Sequence, residues 1–431
     1  MISWIAVFAT KLFDKPFTES MEKLTELKKD RIEIIDILRG FALLGIIIVH
    51  FTEQYYAGQP PDSAKNFGAH NIGDNIVQGF SGIFVQGKFF MIFSFLFGLS
   101  FFIQMDKNSG SPTFLVRFAW RLIVLFAIGF VHHLHYRGDI LTIYAVLGFA
   151  LLLCYKLPDR TLLIIALLLV FNVPSLGVRL YQAIFHGDAN PFPSSDQKDL
   201  ELYFNTLKSG SYFDILKANL HEFDSKSDFQ IFSGRLYITL GLFMLGLYTG
   251  RKNFFGKWEE QIPWIKKLCK TSLYTLLGCV IFTVAFFGGT QVAGIKLNAA
   301  TGWAVGGFAY DVLNTCLAVI YLMGILLLYR KEKWKPRLMQ FYAAGRMGLT
   351  TYLMQTLFGF FIYFSVGLGL LGVMGALPCM VIGLAVFTFQ IFFSKWWLKN
   401  FRFGPVEWLW RSLTYFKIQP MMKQKLELVN N

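Results

Sequence analysis

The chain has 431 residues, 55% hydrophobic, 17% aromatic and only 16% charged, and phenylalanine alone contributes 47. A soluble core has no room for so much apolar surface, whereas repeated apolar runs near 20 residues match the roughly 30 Å hydrocarbon thickness of a bilayer. The formal net charge of +14 gathers in alternate loops between those runs, which argues against a nucleic-acid-binding surface and for a membrane-side bias.

In chain order, residues 1–33 open with MISWIAVFATKLF, which has too few apolar residues for a span and no small-residue cleavage site. Trp4, Phe8 and Leu12 recur every four residues, the pattern of a helix lying on a membrane surface. Ten spans are then expected, at roughly 34–52, 84–105, 114–133, 139–155, 161–178, 232–249, 270–288, 303–329, 347–370 and 374–395. Lys and Arg gather at Arg117 and Arg121, Lys156 and Arg160, in RKNFFGKWEEQIPWIKKLCK, in YRKEKWKPR and in the basic tail of residues 396–431, which KWWLKNFRF leads into. All of these fall on one side when the first span starts in the cytoplasm, so the positive-inside bias predicts cytoplasmic termini and an extracytoplasmic excursion at 179–231. That excursion carries GDANPFPSSDQ, a turn-rich stretch, then DLELYFNTLKSGSYFDILKANLHEF, which reads as one or two amphipathic helices. The expected fold is therefore all-α and polytopic: one bundle of about ten transmembrane helices over residues 34–395, with no internal repeat and no separate soluble domain. The five cysteines have no paired spacing, so neither disulfides nor a metal site is expected.

The polar residues within these spans group at two depths. Asp36, Arg39, Arg117, Arg121 and Arg346 lie toward one end; His50, Lys88, His132, His133, His135 and Asp139 lie toward the other. In LRGFALLGIIIVH, Arg39 and His50 are separated by roughly 16 Å of helical rise and about 1100° of rotation, close to three whole turns. They share one stripe, and two polar side chains on one stripe point to a protein interior or a watery cavity. Arg117 and Arg121 are four apart, on one helical face suited to phosphate groups, or to snorkelling toward lipid headgroups. HHLHYRGDIL fits a hairpin between two spans. A histidine there, held by Asp139, would be oriented as a general base, while the run lacks a recognised metal spacing.

DILRGFALLGIIIVH, GKFFMIFSFLFGLS, GDILTIYAVLGFALL, GRMGLTTYLMQ and FRFGPVEWLWRSLTY together resemble the bacterial YeiB-like membrane proteins across nearly the whole chain. That family in turn resembles the wider transmembrane acyltransferase superfamily, which includes the heparan-α-glucosaminide N-acetyltransferases and the acyltransferase-three proteins. The resemblance implies a helical bundle in the bacterial inner membrane that passes an acyl group, acetyl above all, from cytoplasmic acyl-CoA to a glycan or lipid-linked acceptor on the other side. It implies that Arg39, Arg117 and Arg121 hold the anionic CoA portion, with three residues between Arg117 and Arg121 where the superfamily has two, and Arg346, at the same depth, is expected to join them. It leaves His50 and His132 as alternatives for the catalytic histidine; beside them, Lys88 or a helix-end amide is expected to stabilise the oxyanion and Asp139 to hold a histidine. The rival expectation is a transporter or lipid flippase, from Gly-rich stretches such as SVGLGLLGVMGALP. The acceptor, the acyl chain length, the choice between direct transfer and a transient acyl group on the histidine, and the choice between monomer and homo-oligomer stay open.

Overall fold

The structure, a computed structural model, describes residues 33–64, 66–106, 114–185 and 196–423. The expected surface helix at Trp4, Phe8 and Leu12, the GDANPFPSS turn and the last eight residues lie outside them. The described residues are helical apart from turns and one isolated bridge, Phe401 to Met422. Among the described residues, six helices are long and apolar enough to cross a membrane, or up to eight when each of two bent helix pairs makes one span.

The first span is α1, Glu33–Thr52. A short amphipathic α2, Ile72–Phe80, and a π-helical turn, Ser81–Val85, lead into α3, Phe89–Asp106. Next come α4, Phe114–His135, and α5, Leu141–Cys154. The 14 residues of α5 rise only about 21 Å, less than a full hydrocarbon thickness. The bent pairs follow: α6, Asp159–Val170, with α7, Val173–Phe185, at 45°; then, beyond α8, Gln197–Ser209, α9, Tyr212–Phe232, with α10, Arg235–Arg251, at 67°. The amphipathic stretch after residue 196 is thus two helices, and α9 starts cleanly because Ser211 and Asp214 form a reciprocal capping box.

The long helices α11, Ile262–Val292, and α12, Ala299–Tyr329, form an antiparallel pair at the edge, with much of α11 exposed. Two short helices, α13, Lys335–Leu338, and α14, Tyr342–Arg346, lead into α15, Gly348–Tyr363, and the chain closes with α16, Ala376–Asn400, and α17, Pro405–Thr414. The expected span at 347–370 is thus a 16-residue helix followed by turns.

The two bends interlock. α6 breaks at Asn172, whose φ is +54°, and the α9–α10 joint is Gly234, whose φ is +80°. A Cβ on Gly234 would fall 2.2 Å from the Asn172 amide oxygen, so only glycine suits both the left-handed conformation and the crowding. The Asn172 amide nitrogen donates to Asp311 Oδ2 of α12 at 2.8 Å, and Arg179 Nη1 of α7 donates to the same oxygen at 3.2 Å. With lipid outside, helices associate through close packing rather than water exclusion. Gly98 of α3 and Gly246 of α10 accordingly sit against the backbone of the opposite helix. α1 runs through the middle, its apolar faces buried between α3, α12 and α15.

Candidate functional site

Because α1 is unbroken between Arg39 and His50, the two side chains mark two depths, and a separate cavity lies at each. The Arg39 end holds a cavity of about 560 Å³ and the His50 end one of about 1790 Å³. Phe93, Leu141, Tyr144 and Tyr352 line both, so these four side chains form the wall between them.

The smaller cavity is lined by six arginines, Arg39, Arg117, Arg121, Arg346, Arg402 and Arg411, against two carboxylates, Asp36 and Glu407. Arg39 pairs with Asp36 one turn before it and donates to Ser100 Oγ of α3 at 2.6 Å. The Arg121 guanidinium lies 3.8 Å over the Trp410 ring, Arg411 lies 4.5 Å over Phe403, and Arg117 lies 5.7 Å over Tyr415. Each guanidinium is thus held beside an aromatic ring, and cation–π contact of this kind is compatible with hydrogen bonding to an anion. Arg346 donates to the Arg402 carbonyl at 3.2 Å. All four expected arginines therefore line one cavity, together with Arg402 and Arg411 from the C-terminal segment.

Glu407 explains why GRMGLTTYLMQ and FRFGPVEWLWRSLTY occur together. Its carboxyl accepts from the Leu349 and Thr350 amides at 2.7 and 3.0 Å and from Thr350 Oγ1 at 2.5 Å. A carboxylate from a distant helix thus caps the N-terminus of α15, where free amides and the helix dipole favour negative charge. Burial pushes this carboxyl up from its ordinary pKa, against the lowering effect of those bonds. α17 is further latched to α4, since Trp410 Nε1 donates to the Arg121 carbonyl and Trp120 Nε1 to the Leu413 carbonyl, both at 3.0 Å.

At the other end, the His50 ring is boxed by Tyr136, Tyr55 and Tyr352, at centroid distances of 5.0, 5.3 and 6.1 Å. His50 lines the larger cavity, and its buried Nδ1 has no hydrogen-bond partner among the described residues. Glu53, one turn further along and also lining this cavity, accepts from Gln86 Nε2 at 2.8 Å. Burial raises the Glu53 carboxyl, while Arg235 and that amide pull it back. Glu53 follows His50 at i+3, so the sequence carried the signal for a second residue on that face.

His132 is placed differently. Its Nδ1 lies 2.7 Å from Asp139 Oδ1 and its Nε2 lies 2.7 Å from Thr356 Oγ1, so both ring nitrogens are engaged in the buried interior. Asp139 also accepts from the Leu141 and Thr142 amides, from Thr142 Oγ1 at 2.7 Å and from Lys226 Nζ at 3.3 Å, which makes it the cap of α5. His133 Nδ1 lies 3.5 Å from Lys226 Nζ, and His135 bridges the Val131 carbonyl and the Tyr212 hydroxyl. The Lys88 ammonium is buried and donates to the Gly82 and Gln86 carbonyls at 2.9 and 2.8 Å, which holds the π-helical turn. No group of three or more His, Cys, Asp or Glu side chains among the described residues is arranged to hold a metal ion.

The larger cavity carries charges of both signs, many already paired: Arg137 with Glu222 at 2.9 Å, Arg179 with Asp311 at 3.2 Å, and Lys226 with Asp139. One cavity therefore suits an anion, and the other a polar molecule of little net charge.

Residues 249–417 match the family model described as "Protein of unknown function (DUF418)". The chain is 29% identical over 419 residues to "Uncharacterized protein YxaH" of Bacillus subtilis (strain 168), covering 92% of this chain and 98% of that protein. It is 26% identical over 407 residues to "Uncharacterized 39.9 kDa protein in amylase 3'region" of Bacillus acidopullulyticus, covering 92% and 97%. It is also 27% identical over 399 residues to "Uncharacterized protein YeiB" of Escherichia coli (strain K12), covering 88% and 95%. With the long apolar helices, these near full-length likenesses support a YeiB-like family of membrane proteins.

Proposed function

We propose that the chain is a membrane-embedded acyltransferase that takes an acyl group, acetyl in the simplest case, from acyl-CoA in the arginine cavity. It passes that group to a hydroxyl or amine in the His50 cavity. The observation that carries this reading is the pair of cavities lying at the Arg39 and His50 ends of α1 and meeting at one four-residue wall. CoA is anionic at its phosphorylated end and carries its thioester at the end of a long arm. An anion site about 16 Å of helix rise from an imidazole matches that division.

In the step itself, a His50 nitrogen takes the proton from the acceptor. The freed lone pair forms a bond to the acyl carbonyl carbon, and the carbonyl π pair moves onto oxygen. Collapse of that adduct breaks the carbon–sulfur bond, and the departing thiolate receives the proton from His50, leaving acylated acceptor and free CoA. The larger cavity, with aromatic walls and many of its charges paired, fits a glycan or a lipid-linked sugar better than an ionic acceptor. In this reading ten segments cross the bacterial inner membrane, both termini and the arginine cavity are cytoplasmic, and α8 faces outward. Cysteine introduced at the exposed Lys208 should react with a membrane-impermeant thiol reagent in intact cells, and cysteine at the exposed Lys333 should not. The opposite labelling pattern reverses the orientation and removes the cytoplasmic CoA pool from the mechanism.

A second test addresses the anion site. Arg117→Gln with Arg121→Gln should weaken acetyl-CoA binding by about a hundredfold to ten-thousandfold, since two charge-assisted hydrogen bonds are lost and each contributes about 1.5–3 kcal/mol. The loss should shrink at high salt because screening already reduces the charge contribution. Unchanged affinity in the folded double variant, measured by calorimetry in detergent, returns both residues to membrane anchoring.

The two bent helix pairs favour a second reading, transport of a small molecule or lipid, since broken helices line the paths of many carriers. A carrier moves its cargo without consuming acyl-CoA. Transfer of radiolabel from acetyl-CoA into acceptors of native membrane vesicles therefore separates the two.

A further inference from the structure

The wall between the cavities has a feature that the apolar packing leaves unexplained. Tyr352, 3% exposed, lies on α15 one turn beyond the helix start that Glu407 caps, within the GRMGLTTYLMQ motif. Its ring lines both cavities and stands 6.1 Å from the His50 ring and 5.0 Å from the His132 ring, tilted to each. Its hydroxyl is buried near the Ile140 amide, yet meets hydrogen-bond geometry with no described residue. His50 Nδ1 of the same box is buried without a partner among the described residues, and the Tyr55 hydroxyl, buried near the Thr356 side chain, also meets hydrogen-bond geometry with none of them. Buried polar atoms are nearly always satisfied, because leaving one unpaired costs stability, so three orphans around one ring mark a place shaped for a polar group that arrives with a ligand.

The neighbouring wall tyrosine shows the contrast. Tyr144 also lines both cavities, but its hydroxyl lies 2.6 Å from Ser94 Oγ and is thereby satisfied. Lys88, expected from the sequence to stabilise an oxyanion, has its ammonium on two backbone carbonyls instead. His132 has both nitrogens engaged. Of the polar groups around His50, Tyr352 is the one with a proton to donate, no acceptor for it, and a position on the wall that the thioester must reach.

We infer that Tyr352 forms a carbonyl-oxygen subsite, its hydroxyl donating a hydrogen bond to the acyl oxygen of the thioester while His50 faces the acceptor. This rests on the acyl-transfer reading. In the step given above, the electron pair displaced from the carbonyl onto oxygen develops its charge against the Tyr352 hydroxyl, which keeps its proton throughout. The pair returns to the carbonyl when the carbon–sulfur bond breaks. A donor aimed at developing charge in a water-poor site strengthens as the charge grows, so it accelerates the step more than it tightens substrate binding.

Tyr352→Phe tests the subsite, because phenylalanine keeps the ring in the wall and removes only the hydroxyl. In membrane vesicles from cells producing the protein, supplied with radiolabelled acetyl-CoA, kcat should fall by about a hundredfold to a thousandfold, the range seen when one oxyanion donor is lost. KM for acetyl-CoA should stay within about twofold, as expected when an interaction made only in the transition state is removed. The purified variant should melt at the same temperature as the parent or higher, since an unpaired hydroxyl has left the interior. A lowered melting temperature with unaltered kcat would identify the hydroxyl as structural and overturn the subsite, and so would full turnover in Tyr352→Phe. Absence of label transfer by the parent protein, relative to vesicles lacking it, would instead overturn the acyl-transfer reading on which the subsite rests.

Discussion

His50→Asn should lower acyl transfer by about a hundredfold to ten-thousandfold, the range for loss of a general base, while leaving acetyl-CoA binding nearly unchanged. Asparagine keeps a hydrogen-bonding group at the wall but takes up no proton at neutral pH. The anion site is at the other end of α1 and does not depend on it. His50 makes aromatic contacts with three tyrosines, so folding should survive the change, and a thermal melt beside the radiolabel assay checks this. His132→Asn predicts a different signature. It breaks the bonds to Asp139 and Thr356 and should lower the melting temperature. Full activity in His50→Asn, with a stable but inactive His132→Asn, would move the chemistry to α4 and reject the assignment.

Asp139→Ala should be the most destabilising single change among the residues discussed, by about 3–5 kcal/mol, as when one partner of a buried ion pair is removed. It strands His132, the amides that open α5, Thr142 and the Lys226 ammonium together. Combining it with Lys226→Met should recover part of the loss, because the stranded cation is then gone as well. Thermal unfolding in detergent reads both effects. A single variant that melts like the parent would show that these contacts contribute little and that the α4–α5 hairpin is held by packing alone.

Much of the fold was legible in the residues. Runs of apolar side chains located the helices, since a backbone in hydrocarbon has to satisfy its own hydrogen bonds and the helix does so within a segment. The spacing of Arg39 and His50 placed them on one stripe, because helical rotation per residue is fixed. Helix lengths were less legible. Residues 347–370 read as one span, but the helix stops at Tyr363, where a chain of turns through Gly367, Gly369 and Gly372 begins. Periodicity does not register a break that apolar residues continue through.

The candidate site divides in the same way. Arg117 and Arg121 were visible as one basic face, whereas Arg402 and Arg411 read as part of a basic tail. They join the cavity only because α17 folds back onto α4 through Trp410 and Trp120. The sequence by itself determined what is local: an apolar helical chain, an arginine and a histidine at two depths of one helix, and a histidine-rich hairpin. Only the tertiary structure decided which of His50 and His132 keeps a ring nitrogen without a partner. His132 is engaged by Thr356, 224 positions away, while the box around His50 is closed by Tyr136, just past the end of α4, and Tyr352 of α15. The physical reason is that helical geometry is set by neighbours within a few residues, whereas hydrogen-bond satisfaction depends on whichever side chains packing brings alongside.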